Sequence, residues 1–211
     1  PYRFLVDSGA DSSVVGQRIA RDLRLPIGQT ATLHTTTASA VVPRVVVDEL
    51  SMGETTVRDL QLPALREEDM GGAGIIGIDA LVRQRLMMDF EKRIIKAEDA
   101  RRPAEFVNGE IVVTARRRRG QLILTQVSAN GLPLEAVVDT GSEISVGNLA
   151  LREKLVRGNQ RDKLLTVTAI GVTGAPLVMQ VARVSEIRVG SVTLRDVPVA
   201  FADIPPFKLF G

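Results

Sequence analysis

The 211-residue chain carries 27 Lys and Arg against 25 Asp and Glu, a net charge of +2, and is 45% hydrophobic with 3% aromatic residues. That composition suits a folded chain with apolar material for one large domain or two small halves, and it lies too near neutral to indicate a nucleic-acid partner. With no cysteine and one histidine, His34, the chain excludes thiol nucleophiles, disulfides, thiolate metal sites and any histidine-dependent triad not built on that single imidazole.

The first element is a strand of branched residues that runs into Asp7-Ser8-Gly9. Such a strand end presents a carboxylate rigidly, and the glycine lets the backbone turn closely beneath it. Gly16–Leu23 predicts a short helix, with Ile19 and Leu23 four apart and Pro26 stopping it. His34 lies in the Thr-rich stretch LHTTTAS and reads as a surface or strand histidine with no assigned role. The following segment, TTTASAVV at 35–42, is a candidate hairpin flap, stiffer for its lack of glycine, or a plain turn. RVVVDELSMGETTVRDLQL at 44–62 then reads as β-rich, and GIIGIDAL at 74–81 predicts a helix following Asp79.

The charged stretch EDARRP at 98–103 is the best linker between two halves, 1–103 and 104–211. Arg116–Arg119 is expected to form a solvated hairpin tip between two apolar runs. QLILTQVSANGLPLEAVVD follows, with Asn130-Gly131 suited to a tight hairpin turn, and leads into Asp139-Thr140-Gly141. Asn148 is placed as the N-cap of a helix running through Leu155 to Gly158. IGVTGAP at 170–176 has the glycine content of a second hairpin tip.

Comparing the halves exposes a duplication. FLVDSGADSSVV at 4–15 returns as AVVDTGSEISVG at 136–147, placing Asp139 132 residues after Asp7. SMGETTVRDLQLPAL at 51–65 returns as RVGSVTLRDVPVAFA at 188–202, with Gly53 and Gly190 137 apart. One Asp-Thr-Gly tripeptide is weak evidence; two in matched apolar contexts, in one order, are strong.

On these residues the chain resembles the retropepsin-like aspartic proteases. VDSGADSSVV looks like their catalytic loop, VDTGSEISV like a pepsin-flavoured second copy, GIIGIDAL like the family's pattern of two apolar residues, Gly, any residue, Asp or Asn and then a helix, and MMDFEKRIIK like the closing strand of bacterial members. The resemblance implies a mainly β fold of two tandem acid-protease β-barrel lobes with short helices, related by a pseudo-twofold axis. It implies Asp7 and Asp139 as catalytic carboxylates, sharing a proton because like charges so close cannot both ionise cheaply. Ser8, Gly9, Thr140, Gly141 and Ser142 would support the loops, the Ser8 and Thr140 hydroxyls crossing to the opposite loop's backbone. Asp11 and Glu143 would help hold substrate, or are ordinary loop acids. Ser142 is expected to donate to Asp139 and favour its charged form, leaving Asp7, beside Ala10, as proton holder. No metal or cofactor is required, and the partner is a peptide or protein substrate.

Against this pattern the first copy lacks its opening strands, and the second lacks the closing segment expected near position 214. The chain thus reads as a piece trimmed at both ends, an intramolecular pseudo-dimer or one pairing as a homodimer. It opens at Pro1 without Met or a signal-like segment, and no apolar run nears the roughly 20 residues of a membrane span. The bacterial resemblance implies a periplasmic or cell-envelope setting, with the cytoplasm left open. A silent peptide-binding or scaffolding module, or an unrelated β-barrel or sandwich whose Asp-Ser/Thr-Gly repeats form turns, are the alternative readings.

Overall fold

The computed structural model of the chain describes residues 2–53, 55–81, 84–89, 91–92, 94–99, 101, 115–118, 121–158, 164–205 and 207. The first repeat contributes β1 (Phe4–Val6), β2 (Val14–Gly16), α1 (Gln17–Asp22), β3 (Ile27–His34), β4 (Ser39–Met52), β5 (Thr55–Leu65), α2 (Glu67–Met70), β6 (Gly74–Ile76), α3 (Ile78–Leu81), β7 (Gln84–Asp89) and β8 (Ile94–Asp99). The second contributes β9 (Ala115–Arg118), β10 (Gln121–Ala129), β11 (Leu132–Val137), β12 (Ser145–Gly147), α4 (Leu149–Leu155), β13 (Leu165–Ile170), β14 (Pro176–Val189) and β15 (Val192–Phe201). The protein is mainly β. Among the described residues no helix is long and apolar enough to cross a membrane.

Each repeat builds one sheet. The first has strand order β1-β6-β2-β5-β4-β3; the second has β11-β10-β14-β15-β12, with β13 on β14 and β9 on β10. β7 and β8 form a separate antiparallel pair. Where barrel lobes are expected, the described strands of each sheet pair in an open order. The meander β3-β4-β5 is matched by β13-β14-β15, and the parallel pair β2 with β5 by β12 with β15. Duplication reaches the backbone torsions: Asp59 and Asp196, 137 residues apart, both take left-handed φ of 57° and 54°. Few side chains tolerate that region, and Asp is among them.

Local sequence accounts for the remaining elements. Asn130 and Gly131 have φ of 48° and 78°, the paired positive values of a type I′ turn, and join β10 to β11. Asn148 Oδ1 accepts the Leu151 N–H at 2.7 Å and caps α4, but the helix ends at Leu155, short of the expected Gly158. Val156 stops it, extended and 3% exposed, because its side chain packs beside Val184 and Phe201 rather than along the helix. Arg116–Arg118 lie in β9, with Arg118 opposite Gln121. The basic run is therefore mostly strand, and its connection at 119–120 lies outside the described residues. Of the expected linker, Glu98 and Asp99 end β8, while 100, 102 and 103 lie outside the described residues.

The first core gathers Val15, Ile19, Val45 and Leu62 between α1 and the sheet; the second gathers Val156, Val184, Val199 and Phe201. Leu62 is 1% exposed, a burial that contributes about 2–3 kcal/mol. The repeats differ beside the Asp loops. β6 lies between β1 and β2, running parallel to one and antiparallel to the other, and all of β2 is buried. Among the described residues β12 pairs with β15 alone, and only its Gly147 is buried.

Candidate active site

β1 delivers Asp7 and the end of β11 delivers Asp139 to one place. The crossing is made by four hydrogen bonds in reciprocal pairs. Ser8 N–H donates to Thr140 Oγ1 at 3.1 Å, and Thr140 N–H to Ser8 Oγ at 3.3 Å. Ser8 Oγ donates to the Val138 carbonyl and Thr140 Oγ1 to the Val6 carbonyl, both at 2.8 Å. Each hydroxyl thus accepts from the opposite loop's backbone and donates to it. Ser8 is 4% exposed, so these bonds work largely out of water.

The glycines let the carboxylates meet. A Cβ on Gly9 would fall 2.5 Å from Asp139 Cγ, and one on Gly141 would collide with the Asp7 carboxylate. Each carboxyl therefore lies over the glycine of the opposite loop, where any side chain would displace it. Each also accepts its own loop's glycine N–H: Gly9 to Asp7 Oδ1 at 2.7 Å, Gly141 to Asp139 Oδ1 at 2.9 Å.

Burial of its carboxyl and then the negative charge of Asp7 push Asp139 up to about 6 from an ordinary 3.8, and a side-chain hydrogen bond with Asp7 acts in the same direction. The Gly141 and Ser142 backbone N–H groups oppose the rise. Asp139 as a residue remains solvent-exposed; the crowding is local to the carboxyl end over Gly9. The expected role of Ser142 is corrected here. Its hydroxyl donates to the Ile144 carbonyl at 2.8 Å, and only its backbone N–H favours ionised Asp139. Asp139 is thus shifted upward, where donation from the Ser142 hydroxyl would have shifted it downward.

Asp11 and Glu143 are both exposed. The two hairpin tips at 35–38 and 171–175 meet, since a Cβ on Gly171 would collide with Thr37 Oγ1. His34 stands at the end of β3, its Nδ1 2.8 Å from Ser39 Oγ. A cavity of about 690 Å³ beside α1, lined by Gln17, Arg18, Arg66 and Glu67 among others, shares no residue with the two loops.

Sequence reasoning missed Ser13. Fully buried, it donates through N–H and Oγ to Asp79 Oδ1 at 2.8 and 2.6 Å, while its Oγ accepts the Gly77 N–H at 2.9 Å. With Asp7 N–H donating to the Ile76 carbonyl at 3.0 Å, this network braces the first loop against β6 and α3. The available signal was a serine flush against the apolar pair Val14-Val15, where a polar residue needs a buried partner.

Two family models match the chain. Residues 1–83 match "gag-polyprotein putative aspartyl protease" and residues 125–209 match "Aspartyl protease". No curated protein matches it. The two matches fall on the two Asp-Ser/Thr-Gly repeats that the hydrogen bonds join, and the chain belongs to the aspartyl protease family as two retropepsin-like domains in tandem.

Proposed function

We propose that the chain is an aspartic endopeptidase in which Asp7 and Asp139 activate one water molecule between them. The observation carrying this reading is the loop crossing, which sets the carboxyls of Asp7 and Asp139, 132 residues apart, each against the glycine of the opposite loop. Asp139, the reluctant acid, holds the shared proton and hydrogen-bonds the carbonyl oxygen of the scissile peptide, where negative charge develops. Ionised Asp7 takes a proton from water as its oxygen attacks the carbonyl carbon. Asp139 passes its proton to the carbonyl oxygen to give a diol, which collapses with cleavage of the C–N bond as the departing amine takes the proton held by Asp7 and Asp139 takes one back from a diol hydroxyl. Ser8 and Thr140 fix the separation of the two acids, and Asp11 and Glu143 are left as substrate-backbone contacts.

The test is cleavage of an unfolded protein by the whole chain between pH 4 and 7. Asp7→Asn and Asp139→Asn should each lower kcat by at least about a thousandfold with the fold retained. Full activity in either variant would sink the mechanism. A silent peptide-binding module is the second reading, favoured by the solvent exposure of Asp139, Gly141 and Ser142. Peptide binding by the wild-type chain without any cleavage would decide for it.

A further inference from the structure

The hairpin tip of the second repeat does not rest on its own sheet. Val172 packs on a first-repeat cluster of Val14, Val42, Leu65, Met70 and Ile75, which also takes in Ala10 of the Asp7 loop. Gly174, with φ of 76°, lies against Asp69: a Cβ there would be 3.2 Å from Oδ1 and 3.4 Å from Cγ. Asp69 of α2 thus lies beside Gly174 of the tip, and Met70, the next residue, belongs to the cluster on which Val172 packs.

α2 is held for this purpose from both ends. Glu67 Oε1 accepts the N–H groups of Arg18 and Ile19 at 2.8 and 3.2 Å, tying α2 to α1. Asp69 takes Arg66 Nε at 2.8 Å and Nη2 at 2.9 Å, a bidentate pair that fixes the carboxylate plane. The Asp69 side chain is 13% exposed while Arg66 stays 59% exposed, so the guanidinium clamps from the solvent side. The tip carries an opposing tendency. Among the described residues Thr173 Oγ1 is buried without a partner in the docked tip, whereas Thr35 in the first tip both donates to the Ala38 carbonyl and accepts its N–H. An unpartnered buried hydroxyl favours lifting the tip into water, so docking depends on the surface beneath.

We propose that Asp69, oriented by Arg66, is a positioning residue: it forms with Met70 the shelf that seats the second-repeat hairpin over the Asp7 loop and sets the height at which a peptide is held. Its kinetic consequence rests on the peptidase reading; the docking does not. The experiment uses the whole chain with Asp69→Ala, and Arg66→Ala as the second variant because Arg66 is the more exposed partner. Amide exchange is followed at Gly171 and Gly174, which close the tip through Ala175 and Gly171 carbonyls, with Val15 of β2 as internal reference. Both variants should speed exchange at the two tip amides at least fivefold and leave Val15 unchanged. KM for a cleaved peptide should rise at least threefold with kcat within twofold, and Asp69→Asn, which keeps the shape and one acceptor, should recover part of the loss. Tip exchange unmoved in both variants overturns the shelf, as does unmoved KM in a chain that cleaves. Faster tip exchange in a wild-type background that cleaves nothing would sustain the shelf and remove the peptidase reading instead.

Discussion

Replacing Asp139 with Asn should stabilise the protein at neutral pH while abolishing its cleavage. In the folded chain Asp139 is pushed up to about 6 from 3.8, by burial and then by Asp7. Between those values the unfolded chain has released this proton and the folded chain has not. Stability therefore falls as pH rises from about 4 to about 6, and the penalty is complete above the folded value. A rise of about two pH units at about 1.4 kcal/mol each sets a ceiling near 3 kcal/mol. Asp139 is exposed as a residue, so solvent screening reduces this to roughly 1–2 kcal/mol.

Asn cannot ionise and keeps an oxygen to accept the Gly141 N–H, so the variant escapes the penalty without losing that bond. The assay is paired urea unfolding of wild type and Asp139→Asn at several pH values from 4 to 7. Titrating groups remote from the pair are common to both chains and cancel in the difference. At pH 4 the midpoints should nearly coincide. At pH 7 the variant should lead by roughly 0.5–1 M urea, taking an m-value of about 2 kcal/mol/M. A stability difference that stays constant across this range would refute the claim that the dyad resists the second ionisation.

Asp7→Asn should lower the Asp139 titration, read by carboxyl-carbon NMR, but leave it above 3.8, since the charge of Asp7 is removed while burial, the larger cause, remains; an unshifted midpoint would show that the two carboxyls do not interact. Ser13→Ala should cost roughly 2–3 kcal/mol in urea unfolding, because it strips a buried donor from Asp79 and an acceptor from Gly77. Ser145→Ala, at the matched but exposed position of the second repeat, should stay within about 0.5 kcal/mol, and equal losses at the two sites would refute the asymmetric bracing.

Much of this was legible where the physics is local. Asn130-Gly131 carries its turn geometry in two residues, Asn148 caps the helix beside it, and the repeated Asp-Ser/Thr-Gly announces a pair of close-approaching loops. What escaped depends on distant groups. α2 has no apolar periodicity in Arg66-Glu67-Glu68-Asp69; one turn of helix persists there because Glu67 reaches α1 and Met70 is drawn into the core. The upward shift of Asp139 escaped because a serine hydroxyl chooses among nearby acceptors, and Ser142 takes the Ile144 carbonyl two residues away. The reach of the 171–175 tip onto α2 escaped because strand patterning specifies a hairpin and not what its tip touches.

The duplication is symmetric where chemistry requires it and asymmetric elsewhere. At the crossing, each loop donates and accepts through the same atoms as its mate. One residue group away that symmetry lapses. The first loop is locked by Ser13, Asp79 and β6, while the second leaves Gly141, Ser142 and Glu143 exposed. Among the described residues Asp7 therefore sits in the more heavily braced loop, and Asp139 takes its position largely from the bonds that tie it to that loop. If each of the four crossing bonds contributes about 1 kcal/mol net, their sum exceeds the roughly 1–2 kcal/mol by which the raised Asp139 weakens the fold at neutral pH. Thr140, which supplies both an acceptor and a donor from the second loop, is therefore the residue on which the alignment of the two loops turns.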